Sequence, residues 1–137
     1  MVRPLHILSV FIFLAACNSS SNEKNLDCSK FKTGTFRYLG KQSGHFYIIK
    51  RTDSTQTEIN TTTGSTTNLK IRWTSPCSYE LTYLSRQSSP TDTMSYLNTD
   101  LVLLTEIIDT GKDYCVFSSK AKGMDKTLID TLRLLTQ

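Results

Sequence analysis

The sequence has little proline, little histidine and no apolar run long enough to cross a membrane as a helix. Pro4, Pro76 and Pro90 are its only prolines, and His6 and His45 its only histidines. Proline withdraws an N–H from a ladder, so its scarcity leaves most of the chain free to pair as strands. Two histidines, with Cys17, Cys28, Cys77 and Cys115 far apart in sequence, argue against a metal site, because zinc sites need close ligand spacing. Glycine is equally thin. Six dispersed glycines form neither a phosphate-cradling loop nor a Gly-x-Ser-x-Gly elbow. His45 opens an apolar segment, the usual place of a structural histidine, and Asp109 and Asp113 flank a turn, an ordinary place for aspartate. The sequence therefore offers no catalytic residues, no metal and no cofactor, and the expectation is a protein that is not an enzyme.

Charge of one sign is not concentrated either. The net charge of +4 comes from scattered residues such as Lys50-Arg51, Lys70, Arg72, Lys120 and Lys122, which read as a solvated surface. Nucleic-acid binders gather such charge on one face, so nucleic acid is not an expected partner.

What is present begins at the front. Met1-Val2-Arg3 is a short positive region, followed by residues 4–16, which contain no Asp, Glu, Lys or Arg. About 18 apolar residues are needed to span a bilayer, and this run has the length of a signal-peptide core. It ends in Leu14-Ala15-Ala16-Cys17, the pattern of a bacterial lipobox, in which small residues fit the signal peptidase and the cysteine thiol takes the diacylglycerol. The expectation is a cleaved signal peptide over 1–16, lipidation at Cys17, a lipidated flexible tether over 17–27 and a single β-domain over 28–137. Several buried acyl chains anchor stably where one does not, so the first partner is the lipid membrane. Asn18, where an aspartate would mark inner-membrane retention in enterobacteria, points to the outer membrane of the cell envelope.

The remaining chain alternates. Thr35-Phe36-Arg37-Tyr38 puts its aromatics on one face and Arg37 on the other. His45 to Lys50 is a strand too apolar for exposure on both faces, and Thr55 to Thr61 alternates around Ile59, with Glu58 and Asn60 expected outward. Leu69-Lys70-Ile71-Arg72-Trp73 and Cys77-Ser78-Tyr79-Glu80-Leu81-Thr82-Tyr83 read as a hairpin about Ser75, setting Trp73 against Cys77, Ile71 against Tyr79, Leu69 against Leu81 and Lys70 against Glu80. Residues 85–99 form a polar connection. Residues 101–108 and 114–118 are strands about the Gly111-Lys112-Asp113 turn. Residues 124–135 fit a helical stripe or a closing strand after Lys122-Gly123, and the strand is preferred. The fold class is all-β: an antiparallel meander of six to eight strands, as an open barrel or a two-sheet sandwich.

Asp27-Cys28-Ser29-Lys30-Phe31-Lys32-Thr33-Gly34-Thr35-Phe36 resembles the opening of small lipoproteins of Bacteroidetes, and Trp73 followed by Cys77-Ser78-Tyr79 resembles their Trp…Cys-x-Tyr hairpin. Lys50-Arg51-Thr52 and Gln56-Thr57-Glu58-Ile59 echo the strands between. Some members carry a DNA topoisomerase label, which nothing in an exported chain of this size supports. The resemblance implies a β architecture and an envelope address, with no catalytic residues to carry over. Three thiols besides Cys17 allow at most one internal bridge, and the resemblance implies that it joins Cys28 to Cys77, leaving Cys115 a buried free thiol.

Two functions remain in view. The first is a non-catalytic protein- or glycan-interaction module of the envelope. The alternative is a lipocalin-like carrier of a small apolar ligand lined by Phe36, Tyr38, Trp73, Tyr79 and Tyr83, residues that equally serve as core.

Overall fold

The computed structural model describes residues 25–41, 43–90 and 100–135. The signal segment, Cys17, most of the tether and residues 91–99 of the polar connection lie outside the described residues. A 3-10 turn, Ser29–Phe31, precedes eight strands: β1 Gly34–Leu39, β2 Phe46–Arg51, β3 Thr55–Asn60, β4 Thr66–Trp73, β5 Ser78–Gln87, β6 Val102–Thr110, β7 Tyr114–Ala121 and β8 Thr127–Leu134. Each pairs antiparallel with the next, and β8 returns to β1. The meander is thus neither an open barrel nor a sandwich but a closed barrel, which removes the edges an eight-strand sheet would otherwise expose.

Alternation builds the wall. Phe36, Ile49, Ile71, Leu81, Ile107 and Leu132 are buried, while their strand neighbours Arg37, Lys50, Lys70 and Arg133 are exposed. The last segment is a strand, as preferred, and Gly123 turns into it with a φ of 83° that favours glycine. β5 runs on to Gln87, shortening the polar connection.

The central hairpin forms in a register two residues away from the one expected. Trp73 faces Tyr79, Arg72 faces Glu80, Ile71 faces Leu81 and Leu69 faces Tyr83. A slip of two keeps every side chain on its own face, so hydrophobicity alone could not separate the two registers. The ion pair on the outer surface is therefore Arg72–Glu80, at 2.5 Å, in place of Lys70–Glu80. The two bulges explain two exposed apolar residues. Pairing shifts around Leu84 in β5 and Ile108 in β6, and each extra residue points to solvent.

The two ends of the barrel differ. At one end lie the β2–β3, β4–β5 and β6–β7 turns together with the Ser29–Phe31 turn. Phe31 is fully buried there against Phe36. Cys28 is disulfide-bonded to Cys77 in the β4–β5 turn, and Lys30 donates to the Lys112 carbonyl of the β6–β7 turn at 3.2 Å. Trp73 packs on Tyr79, with Lys32 above its ring. Cys115 is the free cysteine of the described residues, wholly buried in this core. The opposite end carries the β1–β2, β3–β4, β5–β6 and β7–β8 connections.

Candidate functional site: a chamber inside the barrel

The alternation that buries Tyr47, Ile49 and Arg51 on one side of β2 sets them opposite Asn60, Glu58 and Gln56 of β3. The inner face of β3 is therefore polar, and Ile59 faces outward beside Ile48. This reverses the expectation that Glu58 and Asn60 point to solvent. Asn60 is held inside because its Oδ1 accepts from the N–H groups of Thr62 and Thr63, at 2.9 and 3.1 Å, shaping the β3–β4 turn. Its amide nitrogen lies 3.0 Å from His45 Nδ1, which gives His45 a structural partner.

Arg51 belongs to the interior too, at 5 % exposure, against its sequence reading as part of a solvated surface. A buried guanidinium survives only when its donors are used. Here Nε donates to Gln56 Oε1 (2.6 Å), Nη1 to the Phe31 carbonyl (3.0 Å) and Nη2 to the Tyr79 hydroxyl (2.6 Å). The group also lies over the Phe36 and Tyr79 rings. Gln56 in turn donates to Glu58 Oε1 at 2.7 Å. A polar chain thus climbs from Tyr79 through Arg51 and Gln56 to Glu58, leading from the disulfide end toward the middle of the lumen.

Above it the barrel widens into a recess that opens at its mouth. A chamber of about 330 Å³ lies toward the end bearing the β1–β2 connection, walled by Leu69, Leu81, Leu103 and Leu128, with Tyr38, Tyr47 and Tyr83 among them and Glu58 and Arg86 as its charged groups. A smaller one, about 170 Å³, adjoins it and shares Tyr38, Glu58, Leu81, Leu103 and Leu128, reaching down to Arg51 and Tyr79. Ligand pockets begin near 300 Å³ and are mostly apolar with a few placed polar groups. The upper chamber meets both conditions.

Electrostatics mark the same place. Loss of water around Glu58 pushes its carboxyl above the ordinary glutamate value, against the Gln56 hydrogen bond and the charges of Arg51 and Arg86. Burial, then the charges of Asp130 and Glu58, push the Tyr38 hydroxyl up to about 12. Burial also raises the Cys115 thiol to about 11, where it is a poor nucleophile near neutrality.

The five aromatics expected as lining or core divide. Tyr38 and Tyr83 line the larger chamber, and Tyr38 and Tyr79 the smaller. Phe36 is core between the Arg51 guanidinium and Phe31, and Trp73 packs at the disulfide end. Leu103, Leu128 and Glu58 line the chamber without having been singled out from the sequence, and Leu69 and Leu81, read there as a core face, join them. The signal for Glu58 was the strand pairing rather than its own residue type. Among the described residues, no group of three or more His, Cys, Asp or Glu could hold a metal ion, and no helix is long and apolar enough to cross a membrane. No protein-family model matches the chain, and neither a curated protein nor a solved structure matches it.

Proposed function

We propose that the protein is a carrier of a small, largely apolar molecule held inside the barrel, on a domain anchored in the cell envelope through lipidated Cys17. The observation that carries this reading is the chamber of about 330 Å³ with its leucine walls and, among its lining, Glu58 and Arg86 as charged groups. A barrel folded only to present its outer surface would gain stability by filling that space, since close packing is the norm in interiors. The carrier reading, second on the sequence, thereby moves ahead of a pure interaction module.

The anchor fits the reading in one further respect. Cys28 is fixed by its disulfide at the end opposite the chamber, so the chain that precedes it leaves the barrel from that end. A lipid at Cys17 would then be joined to the barrel through the end away from the chamber.

Native mass spectrometry of the gently purified protein tests the proposal. A small-molecule adduct on the wild type that disappears when Leu103→Trp fills the chamber is the expected result. A bare mass for both, even after incubation with apolar candidates, would count against it.

A further inference from the structure

Glu58 stands in the wall that the two cavities share, on the inner face of β3 between Ile49 of β2 and Thr67 of β4. Its Oε1 accepts from Gln56 at 2.7 Å, while Oε2 has no hydrogen-bond partner among the described residues. Most polar groups around it are engaged elsewhere. Arg51 directs Nε, Nη1 and Nη2 to Gln56, the Phe31 carbonyl and Tyr79. Arg86 donates to the Thr67 hydroxyl at 3.2 Å and to the Ser65 hydroxyl at 3.3 Å. The Tyr38 hydroxyl is hydrogen-bonded to Asp130, which shares the inward face of β8 with Leu128 and Leu132. The Tyr47 hydroxyl receives the Asn60 amide at 3.4 Å.

A carboxyl among apolar walls, with no ion pair, keeps its proton because ionisation would leave a poorly solvated charge. Loss of water around Glu58 acts in that direction and outweighs Gln56, Arg51 and Arg86. With Oε1 taken by the Gln56 amide, the proton belongs on Oε2. The lumen then presents an O–H donor that the described residues leave without an acceptor. That donor selects a ligand chemistry. An anionic head would find both arginines already held by protein acceptors, and would lose its own water on entry. An ammonium head would need Glu58 ionised and would face the charges of Arg51 and Arg86. A neutral molecule with an acceptor oxygen meets neither cost.

Resting on the carrier reading, we propose that the ligand is a neutral apolar molecule with a carbonyl-type oxygen. That oxygen accepts a hydrogen bond from Glu58 Oε2, and its hydrocarbon lies against Leu69, Leu81, Leu103 and Leu128. Binding weakens as pH rises through the raised Glu58 value, because an ionised carboxylate only accepts. The other titratable or charged groups facing the site are Tyr38, Tyr47, Arg51, Tyr83 and Arg86, with Asp130 behind Tyr38. Glu58→Gln keeps all of these and removes only the titrating proton.

The test is displacement of the apolar fluorophore N-phenyl-1-naphthylamine from the purified protein by 2-nonanone, nonylamine and nonanoate, from mildly acid to mildly alkaline pH. The ketone should compete about tenfold better than either charged molecule, the scale of one hydrogen bond, and less well as pH rises. Glu58→Gln, whose amide N–H still donates, should hold the ketone without the pH slope. Glu58→Leu should weaken the ketone about tenfold while still binding the fluorophore, which shows that the variant is folded. Nonylamine or nonanoate competing best, or a ketone indifferent to Glu58→Leu, would overturn this proposal and leave the carrier reading standing. A wild type that takes up neither fluorophore nor ketone would overturn both.

Discussion

The two ends of this barrel solve opposite problems. The disulfide end is filled and fastened: Phe31 packs on Phe36 and Trp73 on Tyr79, Cys28 is tied to Cys77, and Arg51 hydrogen-bonds three separate parts of the chain. The chambered end keeps leucine walls around a recess, where loss of water raises the Glu58 carboxyl. The cross-links gather at one end, and the larger recess lies toward the other. A barrel of about 110 residues has only one core to distribute, and the asymmetry shows how it is divided.

The difference can be tested by perturbing each end. Removing both Cys28 and Cys77 should have the largest effect. A bridge across a sequence separation of 49 constrains the unfolded chain by about 4 kcal/mol on the loop-entropy estimate, readable by urea denaturation with and without reductant. Arg51→Met comes next, with a loss of about 3 kcal/mol, because the Phe31 carbonyl, Gln56 and Tyr79 would all lose their buried partner.

At the chambered end the sign reverses. Glu58 keeps its proton in the folded state at pH values where the unfolded chain has lost it, since its folded pKa is raised. The folded state then binds more protons than the unfolded one, and stability falls as pH rises from the ordinary glutamate value upward through the raised one. Glu58→Gln should flatten that slope and raise neutral-pH stability, a gain smaller than either loss at the other end. Smallest of all is the outer wall. Arg72→Ala breaks an exposed pair with Glu80 and should cost about 0.5 kcal/mol. If Glu58→Gln destabilised as much as Arg51→Met, the contrast between the ends would not hold.

The sequence was legible where the barrel obeys a simple inside–outside rule. Phe36 and Tyr38 face inward and Arg37 outward, and the 127–134 segment is a strand; the Cys28–Cys77 bridge follows from the family resemblance and not from that rule. It was misleading where the interior is polar. In β3 the apolar Ile59 is outside and Gln56, Glu58 and Asn60 are inside, so hydrophobicity pointed the strand the wrong way round. Only pairing with β2 fixes its face, because Arg51 opposite Gln56 and Ile49 opposite Glu58 place them in one lumen. The hairpin register failed for a related reason. Shifting by two preserves the pattern of faces, and the turn rather than the pattern selects Arg72 over Lys70 as the partner of Glu80. Closure was beyond the pattern altogether, since the short β1–β8 ladder joins the two ends of the domain.

The central claim is that the chambered end is hollow in order to hold a molecule. Titration with N-phenyl-1-naphthylamine, a small apolar fluorophore, tests it directly in the wild type and in Leu103→Trp, whose side chain would enter both cavities. Saturable one-to-one binding with a fluorescence rise in the wild type, abolished in the filled variant, is the result this account expects. Absent binding, or equal binding by both proteins, would contradict it.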